Sequence, residues 1–195
     1  TEPKLTGVSL EKKYGSAYNV NGIDMYFISE ISVYTTKVVP GGYTFVNIGY
    51  ISGVDEFEKS IISTHWIGFD GSSMQFNEDA VLRVQAITLY NNPDAFQSYY
   101  AAIDEEKRIS DSVEIFRIWI ENADGSKVRE FNPEISFLID ESDAFTHFKA
   151  FGIEKDGDES LATMTVPMNI PNIAEGKFLS IKTNRIHNAI AIFGE

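Results

Sequence analysis

The chain has 195 residues, a formal net charge of −13 and no cysteine. So negative a chain repels phosphate backbones and anionic membrane surfaces, which excludes nucleic acid as a partner. The missing cysteine excludes disulfides and thiolate metal sites. An apolar fraction of 43%, with 14 Phe, 9 Tyr and 2 Trp, excludes a disordered chain.

No apolar run reaches the about 18 residues that a membrane span requires. Thr1-Glu2-Pro3-Lys4 is no signal peptide and reads as a mature or trimmed start. Residues 1–22 are polar with three glycines and read as an irregular lead-in. Ile23–Ile28 and Ile31–Val39 are rich in β-branched and aromatic side chains and predict strands. Pro40-Gly41-Gly42 is turn chemistry, and Tyr43–Ile51 returns as a strand. Ile61–Ile67 is the next, closed by Asp70-Gly71-Ser72-Ser73.

Residues 80–90 predict a strand that runs into the one helix, over 93–107. Asn92 suits its cap, Pro93 its first position, and Asp94 its positive end. Phe96, Tyr99, Tyr100 and Ile103 share one face, which lies on a sheet or plugs an open sandwich end. Val113–Glu121 and Val128–Phe131 follow as strands around an Asp124-Gly125 hairpin turn. Glu134–Ile139, Phe145–Ile153, Ser160–Val166, Phe178–Thr183 and Ala189–Phe193 complete the series. Short strands with regular turn signals predict an all-β, antiparallel β-sandwich with one short helix. Residues 1–76 form an N-terminal β-rich region and 77–195 the sandwich module; the seam falls near 70–77, unless 1–195 is one continuous domain.

The order of elements after residue 79 resembles a module of secreted and wall-attached proteins of Gram-positive bacteria, a ZU5-like β-sandwich. The resemblance rests on Asp79–Val84, the helix, Ile115–Ile120, Asp124–Val128, Asn132–Phe137 and Lys182–Ala189. Two positions depart from it: Asn188 replaces an aromatic after His187, and Arg117 stands where an acid or polar residue is usual. It implies a non-enzymatic extracellular module and transfers no catalytic residue.

The residues themselves agree. His65, His147 and His187 lack any His-x-His or His-Glu-x-x-His spacing and read as surface or turn histidines. There is no Gly-x-Ser-x-Gly elbow, and Gly71-Ser72-Ser73 reads as a turn. The acids Asp104/Glu105 and Asp140/Glu141/Asp143 read as solvated turns rather than a glycosidase pair. Asp156, Asp158 and Glu159 offer hard oxygen ligands, so calcium is the one cofactor considered. Trp66, Tyr99 and Tyr100 are the candidate ligand-binding residues, as a sugar-stacking platform. A Lys–Asn cross-link among Lys37, Lys149, Lys177, Lys182, Asn184 and Asn188 is outweighed by lysines solvating strand edges. The expectation is a non-catalytic structural or adhesive module, secreted or cell-wall attached, whose partner is a polysaccharide or a host or neighbouring surface protein. A carbohydrate-binding module and a glycan hydrolase are the alternatives.

Overall fold

Side-chain parity organises the strands, because successive residues of a strand point to opposite faces. The computed structural model describes residues 8–10, 17–20, 23–26, 33–141, 144–170 and 174–195. Its strands are β1 (Val8–Leu10), β2 (Ala17–Val20), β3 (Ile23–Tyr26), β4 (Tyr34–Lys37), β5 (Tyr43–Val54), β6 (Ser60–Asp70) and β7 (Val81–Ile87). After α1 (Pro93–Ala101) come β8 (Val113–Glu121), β9 (Glu130–Asp140), β10 (Phe148–Glu154), β11 (Gly157–Ile170), β12 (Ala174–Arg185) and β13 (Ala189–Gly194).

The fold is all-β and antiparallel, with a single short α-helix among the described residues. Eleven strands join in the order β1-β4-β7-β8-β13-β10-β11-β12-β9-β6-β5, while β2 and β3 form a separate hairpin. Strand β11 makes the corner. Its first residues pair with β10 and its later ones with β12, so one strand passes from the first layer to the second. Strand β4, beside the β1 edge, approaches the β5 edge where the Tyr34 hydroxyl donates to the Gly49 carbonyl, at 2.6 Å. The two layers are therefore parts of one nearly closed, barrel-like sheet.

Inward-facing residues fill the space between the layers: Val46 and Ile48, Ile67 and Phe69, Leu82 and Val84, Phe116 and Ile118, Phe137 and Ile139, Leu179 and Ile181. The pairings β4–β7 and β6–β9 join residues on both sides of the 70–77 stretch.

Several elements differ from the sequence reading. The lead-in contains β1 and β2, which owe their form to pairing partners in β4 and β3. Residues 27–32, part of the predicted strands there, lie outside the described residues. Strand β9 is continuous where two strands are expected. Proline cannot donate to a ladder, and the register against β12 shifts beside Pro133 to accommodate it.

The helix is shorter than 93–107, and of the two expected placements it takes the sheet face. It starts as expected: the Asn92 side chain accepts the Ala95 N–H, with Pro93 in the first turn. It stops after Ala101 because Ile103 turns into the core, and Glu105–Lys107 form a separate 3₁₀ turn. Arg108 donates to the carbonyls of Tyr100 and Ile103, at 3.1 and 2.9 Å, and closes the helix C-terminus. The helix does not plug an end of the sandwich. Phe96, Tyr99 and Tyr100 pack on the outside of the first layer, against Ile87, Ile115, Phe151, Ala191 and Phe193. Those strands are apolar on both faces, which is why the helix lies there.

Candidate functional site

One end of the interior is polar. Tyr50, His65, Glu114 and Glu141 each stand on the inward parity of their strand or just beyond it, next to Ile48, Ile67, Phe116 and Ile139. The parity that buries the apolar core carries these four groups to one rim. His65 is the hub, its side chain only 12% exposed. Its Nδ1 lies 3.0 Å from the Asp140 carbonyl, and its Nε2 lies 3.3 Å from Glu114 Oε1. The Asp140 carboxylate is 3.5 Å from Nδ1 and also accepts the backbone N–H of Trp66. Tyr50 stacks on the imidazole with ring centres 6.0 Å apart, and Phe116 meets both rings edge-on.

Burial alone would lower the His65 pKa, but hydrogen bonds to Asp140 and Glu114, with the Glu114 charge, push it up to about 11. Burial raises Glu141 to about 8; repulsion by Glu114 and Asp140 adds to this and His65 partly offsets it. Burial, with the charges of Glu114, Glu141 and Asp140, also holds the Tyr50 hydroxyl well above its usual value. Tyr50 Oη and Glu141 Oε1 are buried without a hydrogen-bond partner among the described residues. Glu114 Oε2 has only an ion-pair contact, 3.2 Å from His65 Nε2. Beside this cluster is an open cavity of about 240 Å³, bounded by Tyr50, Glu114, Leu89, Tyr90, Phe96 and Asp111.

These protonation states make stability pH-dependent. Above its ordinary value of 4.5, unfolded Glu141 loses its proton while the folded group keeps it to about 8. The native state then binds the extra proton, so stability falls as pH rises through that window. His65 acts in the same direction: its contribution is complete below 6.5 and is lost as pH rises towards about 11. Glu141→Gln, which cannot ionise, is expected to raise the thermal midpoint by about 3–6 °C above pH 8 and to leave it nearly unchanged near pH 4.5. Calorimetry at the two pH values checks this; an equal shift at both would show that Glu141 does not titrate as derived.

The other end of the interior carries a second imidazole. His187, with a side chain 1% exposed, places Nδ1 2.5 Å from Glu154 Oε1 and Nε2 3.1 Å from the Thr183 hydroxyl. Hydroxyl, imidazole and carboxylate stand in the order of a nucleophilic triad. The Thr183 hydroxyl, however, donates to the Arg185 carbonyl at 2.9 Å, and Thr183 is buried, so it has neither a proton to pass on nor access to a substrate. Glu154, Glu159 and His187 bring one possible metal-ligand atom each within 4.8 Å of one another. The Arg185 guanidinium already bridges the two glutamates and supplies the positive charge a metal would bring.

The residues singled out in sequence do not form one site. Trp66 is half-buried on the outside of the second layer, against Phe45, Leu138 and Phe178. Tyr99 accepts a hydrogen bond from Arg117 Nε at 2.7 Å, and Tyr100 lies under the Arg108 guanidinium, 4.1 Å from the ring centre. The two tyrosines sit on the first layer and Trp66 on the second, so the three do not make one platform. Asp156, Asp158 and Glu159 do not converge either. Asp158 accepts from the Asp104 N–H and from Lys107 Nζ, at 2.8 and 2.6 Å, which ties the 3₁₀ turn to β11. Glu159, on the opposite parity, faces Arg185 instead.

Asp104 is the cap of the 3₁₀ turn, accepting the Glu106 N–H. Ser72 closes its turn by donating its N–H to Asp70. Lys37, Lys149, Lys177 and Lys182 are all exposed, as are Asn184 and Asn188. Asp143 lies outside the described residues. His147 is exposed as expected; His187 stands in the connection between β12 and β13, a turn position, but is buried, and His65 is neither a surface nor a turn residue, since it ends the inward row of β6. The overlooked signal is parity, since His65 continues the inward series of Ile67 and Phe69. No protein-family model, curated protein or solved structure matches the chain.

Proposed function

We propose that the chain is a non-catalytic adhesive or structural module of an extracellular bacterial surface protein, secreted or wall-attached. The observation that carries this reading is the β5–β6 hairpin. Its tip exposes Val54, Phe57, Ile61 and Ile62, with Phe57 72% exposed. The turn beneath them is firmly built. The Asp55 carboxylate accepts the N–H groups of Phe57 and Lys59, each at 2.8 Å, and Glu58 takes the left-handed conformation with φ 59°. An apolar side chain held outward on an ordered turn is an anchor for a protein partner. Phe57 is the one ring among the aliphatic Val54, Ile61 and Ile62, and a mainly aliphatic tip fits a host or neighbouring surface protein better than the stacked rings a polysaccharide needs. Against catalysis, both buried imidazoles are engaged by carboxylates and backbone or hydroxyl oxygens.

Replacing Phe57, Ile61 and Ile62 together by serine is expected to weaken binding to protein-bearing cell walls or matrix-coated surfaces by about tenfold or more. The thermal midpoint should fall far less than for core substitutions, because these side chains are exposed, Phe57 most of all. Interferometry with the purified chain measures the first and calorimetry the second. Unchanged binding would remove the hairpin from the interface. Retention on glycan gels that Trp66→Ala abolishes would favour the carbohydrate-binding alternative, and glycan cleavage lost in Glu114→Gln would favour the hydrolase.

A further inference from the structure

We propose, resting on the adhesive reading, that the β5–β6 hairpin and the 88–90 loop are the two walls of one groove, which takes a basic, aliphatic-rich segment of the protein partner. The contact then extends from the hairpin tip to the first layer. Ile61 continues the inward series of His65 and Ile67 past the rim, so the hairpin overhangs the first layer with an apolar face. Its ladder partner, Gly53, leaves it bare: a methyl group at Gly53 would touch Ile61 at 3.6 Å, and none is there.

The facing wall is apolar too. Leu89 and Tyr90 are 48% and 52% exposed, on a loop whose backbone is fully engaged. Thr88 donates its N–H to the Asn91 side chain at 2.8 Å, and its hydroxyl accepts the N–H groups of Tyr90 and Asn91. The same hydroxyl donates to the Ile51 carbonyl at 3.1 Å, which ties the loop to β5. Apolar side chains on so ordered a frame bind a partner without a further ordering cost. Between the walls lies the cavity of about 240 Å³, with Ser52 on the hairpin side and Leu89, Tyr90 and Phe96 on the other. The Ser52 hydroxyl is 3.4 Å from the Ile61 carbonyl, so the exposed hairpin face runs on into the cavity. Its volume falls below the about 300–1,000 Å³ of pockets for drug-sized ligands, and suits an apolar side chain of a partner rather than a whole small ligand.

Charge selects the partner. The stretches that build the groove, 50–62, 88–96 and 110–115, carry Asp55, Glu56, Glu58, Asp94 and Asp111 against the single base Lys59, with Glu114 already paired to His65. Glu56, Glu58, Asp94 and Asp111 are exposed. Apolar surface flanked by acids favours basic residues beside the partner's aliphatic ones, since opposite charges steer the encounter and fix its register. A second copy of this chain brings the same acids to the contact, and an anionic membrane brings phosphates; both are repelled.

The test is an amide-resolved NMR titration of the intact chain with three synthetic peptides: leucine alternating with lysine, leucine with glutamate, and serine with lysine. The leucine–lysine peptide is expected to give saturable shifts at residues 51–62, 88–96 and 111–113. The serine–lysine peptide should bind about tenfold more weakly, and the leucine–glutamate peptide should not bind. Leu89→Ser/Tyr90→Ser is expected to weaken the first peptide about tenfold. Asp94→Asn/Asp111→Asn should weaken it severalfold at low salt and less at high salt. All four positions are exposed, and the spectra themselves show that both variants fold. Equal binding of either control peptide, shifts centred elsewhere, or unchanged binding in both variants would overturn the assignment. The hairpin variant Phe57→Ser/Ile61→Ser/Ile62→Ser keeps the two readings apart. If it loses binding to protein-bearing surfaces while the leucine–lysine peptide fails to bind the intact chain, the adhesive reading stands and the groove falls.

Discussion

Replacing His65 by alanine is expected to lower the unfolding free energy by about 2–4 kcal/mol, from the lost ring packing and an ion pair whose carboxylates are about a third exposed and therefore partly screened. The imidazolium is the only positive group facing Glu114, Asp140 and Glu141 at this rim among the described contacts. Without it, Glu114 and the Asp140 carbonyl lose a donor, and three acids share a partly desolvated corner. Tyr50 and Phe116 also lose the ring they pack on. Urea unfolding near pH 6 measures the effect, since there His65 is charged in the native state and Glu141 is still protonated. The loss should shrink in the double variant His65→Ala/Glu114→Gln, because removing one acid relieves part of the repulsion. A loss below about 1 kcal/mol, or strict additivity in the double variant, would show that the cluster contributes no ion-pair energy.

Gly68→Ala is expected to be the next most damaging single change. Gly68 lies on the outward parity of β6, opposite Phe45 of β5 and Leu138 of β9. A methyl group there would meet the Thr44 carbonyl oxygen at 1.9 Å and the Phe45 ring at 2.7 Å. The carbonyl is backbone and cannot swing aside. The Phe45 ring is held in turn by Phe178, 5.6 Å away between ring centres. Relief requires β5 and β6 to separate, so the cost should reach or exceed the upper end of the about 1–3 kcal/mol typical of overpacking. Chemical denaturation of the variant checks this. A neutral effect would mean that the strands adjust freely here.

Much of the fold was readable along the chain because its determinants are local. Period-two alternation in β8, turn residues at Asp124-Gly125 and the Asn92-Pro93 cap each act within a few residues, and each stands where local chemistry puts it. The helix end was less readable. Helical periodicity runs on through Ile103, but burial of that side chain and the Arg108 contacts stop the helix earlier, and both depend on groups brought in by folding. The choice between a sheet face and an open end was not readable either, since nothing within β13 says that Ala191 and Phe193 require a cover on their outer side.

Sequence alone settles the all-β class, the acidic surface and the missing thiol chemistry, because composition and period are additive along a chain. Which acids meet which imidazole is different. His65, Glu114 and Glu141 each continue an inward series one step past its apolar run, so each looks like the polar end of an ordinary strand. Only the pairing of β6 with β9, and the curl that brings β8 across from them, places the three at one rim. Charge interactions decay over a few ångströms of space, not of sequence, and tertiary structure alone sets those distances.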